Sequence, residues 1–269
     1  MKKIVIMLFS LCLFHFAHAQ IIDTLIDVGG YKLHFTIIKG NGTPILFEAG
    51  NGADGSDWQP ILEDIHKATG ATLITYDRAG LGKSEIDTTT ISFKIEIVNL
   101  EDVLKTLGYT KKIFLVAHSF GGFYASLFSY RNQSEVKGAV FIDVGVPCMV
   151  TKEWAENYKK SVTKEDWQMI KKYKLGLYYI LQNFPEIADY MADKYISNTI
   201  PLTLIVAENL PDSTSLKTEN DRKNWVNCLR EFGNLPHHKY VLAQGADHKV
   251  WIKNPKIVVE EITKMYNYK

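Results

Sequence analysis

One short run in this 269-residue chain joins residue types that can do chemistry. Phe114-Leu115-Val116-Ala117 is apolar, and His118-Ser119-Phe120-Gly121-Gly122 comes directly after it. An apolar strand that meets a helix across small residues leaves no room for side chains on the flanks. The serine hydroxyl is therefore held out at the strand tip. Such a hydroxyl can attack an acyl carbon, but only when a neighbouring base takes its proton. Ala117 stands where glycine is usual, and it is the smallest residue that carries a Cβ.

The base is sought among eight histidines. His15 and His18 lie in the N-terminal apolar stretch, His34 in a front hairpin, and His66 at the end of a surface helix. His237 and His238 sit in a polar loop. His118 precedes the serine on the strand and points away from a site at the strand tip. His248 remains. It lies in Gly245-Ala246-Asp247-His248, after the strand Tyr240–Leu242 and before Asn254-Pro255, where a helix opens. A serine, an acid and a histidine in that chain order make a workable triad.

The acid must hold the imidazole in the right tautomer and stabilise its cation. Asp143, at the end of the strand Val136–Ile142, ranks first. Asp212 and Glu208 come after the strand Pro201–Val206 and are the alternatives. The usual Gly-x-x-Asp there reads Ala207-Glu208-Asn209-Leu210, with leucine at the aspartate position. The developing oxyanion needs N–H donors, each worth ~3 to 4 kcal/mol. The backbone N–H of Phe120, next after the serine, is one. Gly50-Asn51-Gly52 lets a second loop approach closely, and the Asn51 N–H is the other.

Elements that can position these groups alternate along the chain. Ile26–Val28 and Leu33–Ile38 flank Gly29-Gly30 and predict an antiparallel hairpin. Pro44–Phe47, Ala71–Tyr76, Ile113–Ala117, Val136–Ile142, Pro201–Val206 and Tyr240–Leu242 predict further strands. Between them, Trp58, Ile61, Leu62 and Ile65 mark one helix face. Phe93, Ile97, Leu100, Leu104 and Leu107 mark another over 92–107, closed by Gly108. Helices are also expected over 120–130, 225–232 and 255–266, the last opened by Pro255. The fold class is α/β: a mostly parallel, doubly wound sheet of about eight strands, with ligands expected at the carboxyl ends of the strands. Residues 147–199 break the alternation and read as an aromatic-rich helical cap. The core is then 20–146 together with 200–269.

At the N-terminus, Lys2-Lys3, an apolar run to Phe16 and Ala17-His18-Ala19 match a cleavable secretory signal over 1–19. Export, periplasmic or secreted, with cleavage near Ala19-Gln20 is expected, and no integral membrane segment in the mature chain. The formal net charge of +1, the 46% hydrophobic residues and the absence of a basic stripe fit a globular protein and argue against a nucleic-acid partner. Cys148 and Cys228 can pair in an oxidising compartment or stand as free, half-buried thiols.

Taken together, Glu48-Ala49-Gly50-Asn51-Gly52 with Trp58, Asp77-Arg78-Ala79-Gly80-Leu81-Gly82-Lys83-Ser84, His118-Ser119-Phe120-Gly121-Gly122 and Asp247-His248 before Asn254-Pro255 resemble the α/β-hydrolase superfamily. The likeness is to capped members with Glu-Ala-Gly where others have His-Gly. It implies Ser119 as nucleophile, His248 as base, an acid, the Asn51 and Phe120 amides, and no metal or cofactor. In some relatives the acid comes after the strand where Asp143 sits. Members with an aspartate nucleophile act on halides or epoxides, and Ser119 argues against both. The implied activity is hydrolysis of a small carboxylic ester with an apolar portion. Removal of an N-terminal amino acid is an alternative, if Glu153, Glu156, Glu186 or Asp189 hold an amine. A non-catalytic sensor on the same scaffold is another.

Overall fold

The computed structural model describes residues 20–209 and 219–268. The proposed signal over 1–19 and the alternative acid Asp212 lie outside them. Eight strands form one sheet: β1 (Ile21–Asp27), β2 (Lys32–Ile38), β3 (Gly42–Glu48), β4 (Ala71–Tyr76), β5 (Ile113–His118), β6 (Val136–Ile142), β7 (Leu202–Ala207) and β8 (His238–Ala243). Their spatial order is β1-β2-β4-β3-β5-β6-β7-β8. The first hairpin and the β2–β4 pair are antiparallel, and every later pair is parallel. β1 is longer than the sequence pattern suggests. It alternates exposed and half-buried residues, as an edge strand does, and pairs with β2 along its whole length.

The helices are α1 (Gln59–Thr69), α2 (Phe93–Thr106), α3 (Gly121–Arg131), α4 (Lys152–Ser161), α5 (Lys164–Tyr173), α6 (Leu175–Gln182), α7 (Phe184–Met191), α8 (Glu219–Gly233), α9 (Val250–Lys253) and α10 (Pro255–Tyr266). Local chemistry sets their ends. Ser92 caps α2 by accepting from the Ile95 N–H, and Thr151 and Thr163 cap α4 and α5 in the same way. Asn254 caps α10 with Pro255 in its first turn.

Two apolar cores sandwich the sheet. On one face Ile61 and Ile65 of α1 pack with Val258 and Ile262 of α10 and with Trp58 and Trp251. On the other, Ile97 and Leu100 of α2, Phe123 and Leu127 of α3 and Leu229 of α8 pack on the sheet, and the helices between β6 and β7 join them. Burying each such side chain contributes about 1.5 to 3 kcal/mol. The strands that carry the site, β5 and β6, are buried along nearly their entire length, which makes them a rigid base.

The strand order reverses between β3 and β5. β3 has β4 on one side and β5 on the other. A crevice opens at the carboxyl ends of the strands at such a switch point. Helices α4 to α7 fill the connection from β6 to β7, in the stretch expected to be a helical insertion. A disulfide joins Cys148, at the start of this insertion, to Cys228 on α8, with a Cα–Cα distance of 5.9 Å.

Candidate active site

Ser119 stands between β5 and α3 with a φ of 53°. Holding a serine in this left-handed region costs about 1 to 3 kcal/mol and needs firm surroundings. They are present: the Ser119 N–H donates to the Ile142 carbonyl at 3.3 Å, and its own carbonyl accepts from Gly122 and Gly145 at 3.0 Å each. Gly121 must be glycine, because a Cβ there would collide with the carbonyl oxygens of Glu48 and Ala49. Ala117 is fully buried and its methyl is accommodated.

His248 reaches this serine from the loop after β8. Its Nε2 lies 2.9 Å from Ser119 Oγ, and its Nδ1 lies 2.6 Å from Asp143 Oδ2. Asp143, just past β6, is 4% exposed, and its second oxygen accepts the Ala207 N–H at 3.1 Å. A carboxylate oxygen only accepts, so Nδ1 carries the proton and Nε2 presents a lone pair to the hydroxyl. That is the tautomer a general base needs. Glu208 does something else: exposed, it accepts the Gly245 N–H at 2.7 Å and anchors the loop that carries His248.

His118 does not stand clear of the site as the sequence suggests. Its ring lies 4.5 Å from that of His248, and its Nε2 donates to the His248 carbonyl at 3.0 Å. Burial, reinforced by the nearby His248, holds its imidazole well below the ordinary histidine range, so it is neutral. Trp251 meets it edge-on at 4.7 Å and stacks on Trp58 at 4.7 Å. The His248 ring therefore rests on a buried aromatic floor.

Around Ser119 and His248 lies a cavity of about 550 Å³. Gly50, Asn51 and Phe120 form one wall. Trp154, Tyr158 and Phe184 from the helical insertion and Trp225 from α8 add aromatic surface to the cavity. Gly50 comes so close that a Cβ would meet His118 Nδ1 at 2.8 Å and Ser119 Cβ at 3.2 Å. Among the described residues, neither the Asn51 N–H nor the Phe120 N–H has a protein acceptor, so both amides are available to a ligand.

Behind the Gly50 loop sits a polar cluster whose contacts the sequence does not disclose. Arg78, Glu48 and Glu96 are all buried. The Tyr76 hydroxyl donates to Glu48 at 2.9 Å, and the Tyr124 hydroxyl to Glu96 at 2.5 Å. Burial pushes the Glu48 carboxyl up to about 8, against the opposing pull of Arg78 and Tyr76. Burial likewise pushes Glu96 up to about 7, against its bond from Tyr124 and the charge of Arg78. The only sequence signal is a lone acid at the end of an apolar strand and an arginine after the next strand. Among the described residues no group of three or more His, Cys, Asp or Glu is placed to hold a metal.

Comparison with known proteins agrees with this fold. The family described as alpha/beta hydrolase fold matches residues 43–171. An uncharacterized protein of Bacillus subtilis, YqjL, is 32% identical over 117 residues, 43% of this chain and 46% of that protein. A soluble epoxide hydrolase of a Corynebacterium is 26% identical over 117 residues, 44% of this chain and 40% of that protein. The matching stretch thus spans less than half the length of these curated relatives. Among solved structures, the haloalkane dehalogenase DbeA of Bradyrhizobium elkani superposes with a TM-score of 0.72 over 92% of this chain and 98% of its own, at 15% identity. The chain has the α/β-hydrolase fold.

Proposed function

We propose that this chain is a serine hydrolase that cleaves carboxylic esters with an apolar portion. The observation that carries the reading is the unbroken relay Ser119–His248–Asp143, with links of 2.9 and 2.6 Å, opening on a cavity with aromatic surface. In this reading Ser119 Oγ attacks the ester carbonyl carbon while His248 Nε2 takes its proton. The new oxyanion meets the N–H groups of Asn51 and Phe120. The intermediate collapses, the alcohol leaves with the proton from His248, and an acyl group remains on Ser119. Water, deprotonated by His248, then releases the acid. Asp143 holds Nδ1–H throughout and stabilises the imidazolium.

The cavity volume of about 550 Å³ falls within the range of ~300 to 1,000 Å³ common for small-molecule sites. Trp154, Tyr158, Phe184 and Trp225 offer it apolar surface. The epoxide hydrolase and the dehalogenase named above are similar in sequence or fold. Their chemistry belongs with an aspartate nucleophile, and here that position is Ser119. The peptidase alternative finds less support. None of Glu153, Glu156, Glu186 and Asp189 lines the cavity. Of the acids that do, Asp57 pairs with Lys249 at 2.6 Å and Asp54 holds Ser56. The sensor alternative leaves the Ser119–His248–Asp143 relay without a purpose.

Export over residues 1–19 belongs to the same proposal, and the Cys148–Cys228 disulfide supports it, since such bonds persist in oxidising compartments. The test is turnover of p-nitrophenyl esters of increasing acyl length beside an aminoacyl p-nitroanilide. Ester hydrolysis that rises beyond acetate, with little anilide cleavage, is expected. Faster anilide cleavage would transfer the assignment to peptidases, and no turnover of either would favour a sensor.

A further inference from the structure

Arg78 is 6% exposed and has acidic neighbours, yet it does not give its N–H groups to them. Its Nη1 donates to the Ala49 carbonyl at 2.9 Å, and its Nη2 donates to the Gly50 carbonyl. The Glu48 carboxyl stands off at 3.9 Å, held by the Tyr76 hydroxyl. The guanidinium lies over the Tyr124 ring, 4.4 Å from its centre. Removing such a cation from water costs several kcal/mol. A fork of N–H groups spread over two successive carbonyl oxygens fixes the course of the backbone there.

The second of these carbonyls shares its peptide unit with an oxyanion donor: the Gly50 C=O and the Asn51 N–H are two ends of one plane. The described residues contain no cis peptide bond, so the C=O and N–H of this unit point in opposite directions. A clamp on the oxygen therefore aims the hydrogen. Asn51 borders two spaces: the small gap that also touches Arg78 and Glu96, and the large cavity that holds Ser119. With its carbonyl turned to Arg78, the unit turns its N–H to the cavity. A charged donor on the oxygen also polarises the amide, and hydrogen bonds in a chain strengthen one another by roughly 10 to 30%.

We propose that Arg78 is a positioning residue for the oxyanion donor: it clamps Ala49 and Gly50 and so aims and polarises the Asn51 N–H. This rests on the serine-hydrolase reading above. Arg78→Lys keeps the charge and loses the fork. The measurements are kcat and KM per titrated site on p-nitrophenyl butyrate, inhibition by butylboronic acid and by butyrate, and thermal stability. Boronic acid becomes tetrahedral on Ser119 and uses the oxyanion donors, whereas butyrate remains planar.

A well-placed donor is worth about 100- to 1,000-fold in kcat, and misdirecting one loses roughly 10- to 100-fold of that. Arg78→Lys is expected to lower kcat and weaken boronate inhibition by that same factor, with KM and butyrate inhibition within about threefold. A purely structural role would lower the titratable fraction and leave kcat per site and boronate inhibition unchanged, which overturns the proposal. Should Arg78→Lys fail to fold, Arg78→Gln combined with Glu48→Gln removes the cation and the carboxyl beside it together, with the same expectation. Wild-type protein lacking Ser119-dependent turnover and boronate inhibition would instead overturn the underlying reading, and this one with it.

Discussion

Replacing Asp143 by asparagine perturbs the relay by one proton-bearing group and almost no volume. Both Asp143 oxygens are acceptors: Oδ2 takes the His248 Nδ1–H at 2.6 Å and Oδ1 takes the Ala207 N–H at 3.1 Å. An asparagine has one acceptor oxygen and one NH₂, so one of the two N–H groups must face a donor. If the amide oxygen stays on Ala207, the NH₂ faces Nδ1, and the ring moves its proton to Nε2. That proton then points at Ser119 Oγ across 2.9 Å, and the base has become a donor. If the amide flips instead, the Ala207 N–H loses its acceptor inside the fold, at about 1 to 3 kcal/mol. The neutral oxygen on Nδ1 then does little for the imidazolium.

Either arrangement removes the base that the first step needs. The expected loss in kcat is about 10⁴-fold, the size seen when a triad acid is neutralised without moving it. That corresponds to about 5 to 6 kcal/mol of barrier. The assay is steady-state hydrolysis of p-nitrophenyl butyrate by wild type, Asp143→Asn and Glu208→Gln. Glu208 touches the Gly245 N–H and not His248, so Glu208→Gln is expected to stay within about tenfold of wild type. Turnover of Asp143→Asn within about tenfold of wild type would refute the reasoning. A collapse in Asp212→Asn instead would move the role to the segment after β7.

Two further outcomes concern stability. The Cys148–Cys228 bond closes a loop across a sequence separation of 80, so the double serine variant is expected to lose about 4 to 5 kcal/mol in urea denaturation; an unchanged midpoint would show that the bond adds nothing. For Glu48, whose carboxyl is raised from its ordinary 4.5 to about 8, the folded state keeps a proton that the unfolded chain has shed. Stability then falls as pH rises through that window, by up to ~1.4 kcal/mol per unit for this group. Glu96, raised to about 7, has finished contributing above that pH. Glu48→Gln is therefore expected to flatten the stability profile between pH 7 and 8, and a parallel profile would refute it.

The parts of this molecule legible in its sequence are those whose physics is local. Val136–Ile142 and Pro255–Tyr266 have the same bounds in the structure as in the residue pattern, because a run apolar but for Lys137 and a proline at a helix start leave little choice. Ser119 stands out because an apolar strand runs straight into small residues. Ranking Asp143 above Asp212 and Glu208 needs only the absence of Gly-x-x-Asp. The residue pattern does not show that β6 and β7 pair so that the Ala207 N–H reaches Asp143. His118 is misplaced by the sequence because alternation along a strand says which face a side chain takes, not what folds back over it. The sequence leaves the pairing of Cys148 with Cys228 open and hides the Arg78 clamp for the same reason, since each joins segments whose closeness only the packed fold creates.

The central claim is that Ser119 is a nucleophile activated by His248. The most direct test is intact-mass and peptide mass spectrometry of the protein after exposure to a fluorophosphonate. One adduct per chain, mapped to Ser119, absent in Ser119→Ala and strongly slowed in His248→Ala, is the predicted result. A wild-type protein that stays unmodified, or one labelled as fast after His248 is removed, would contradict it.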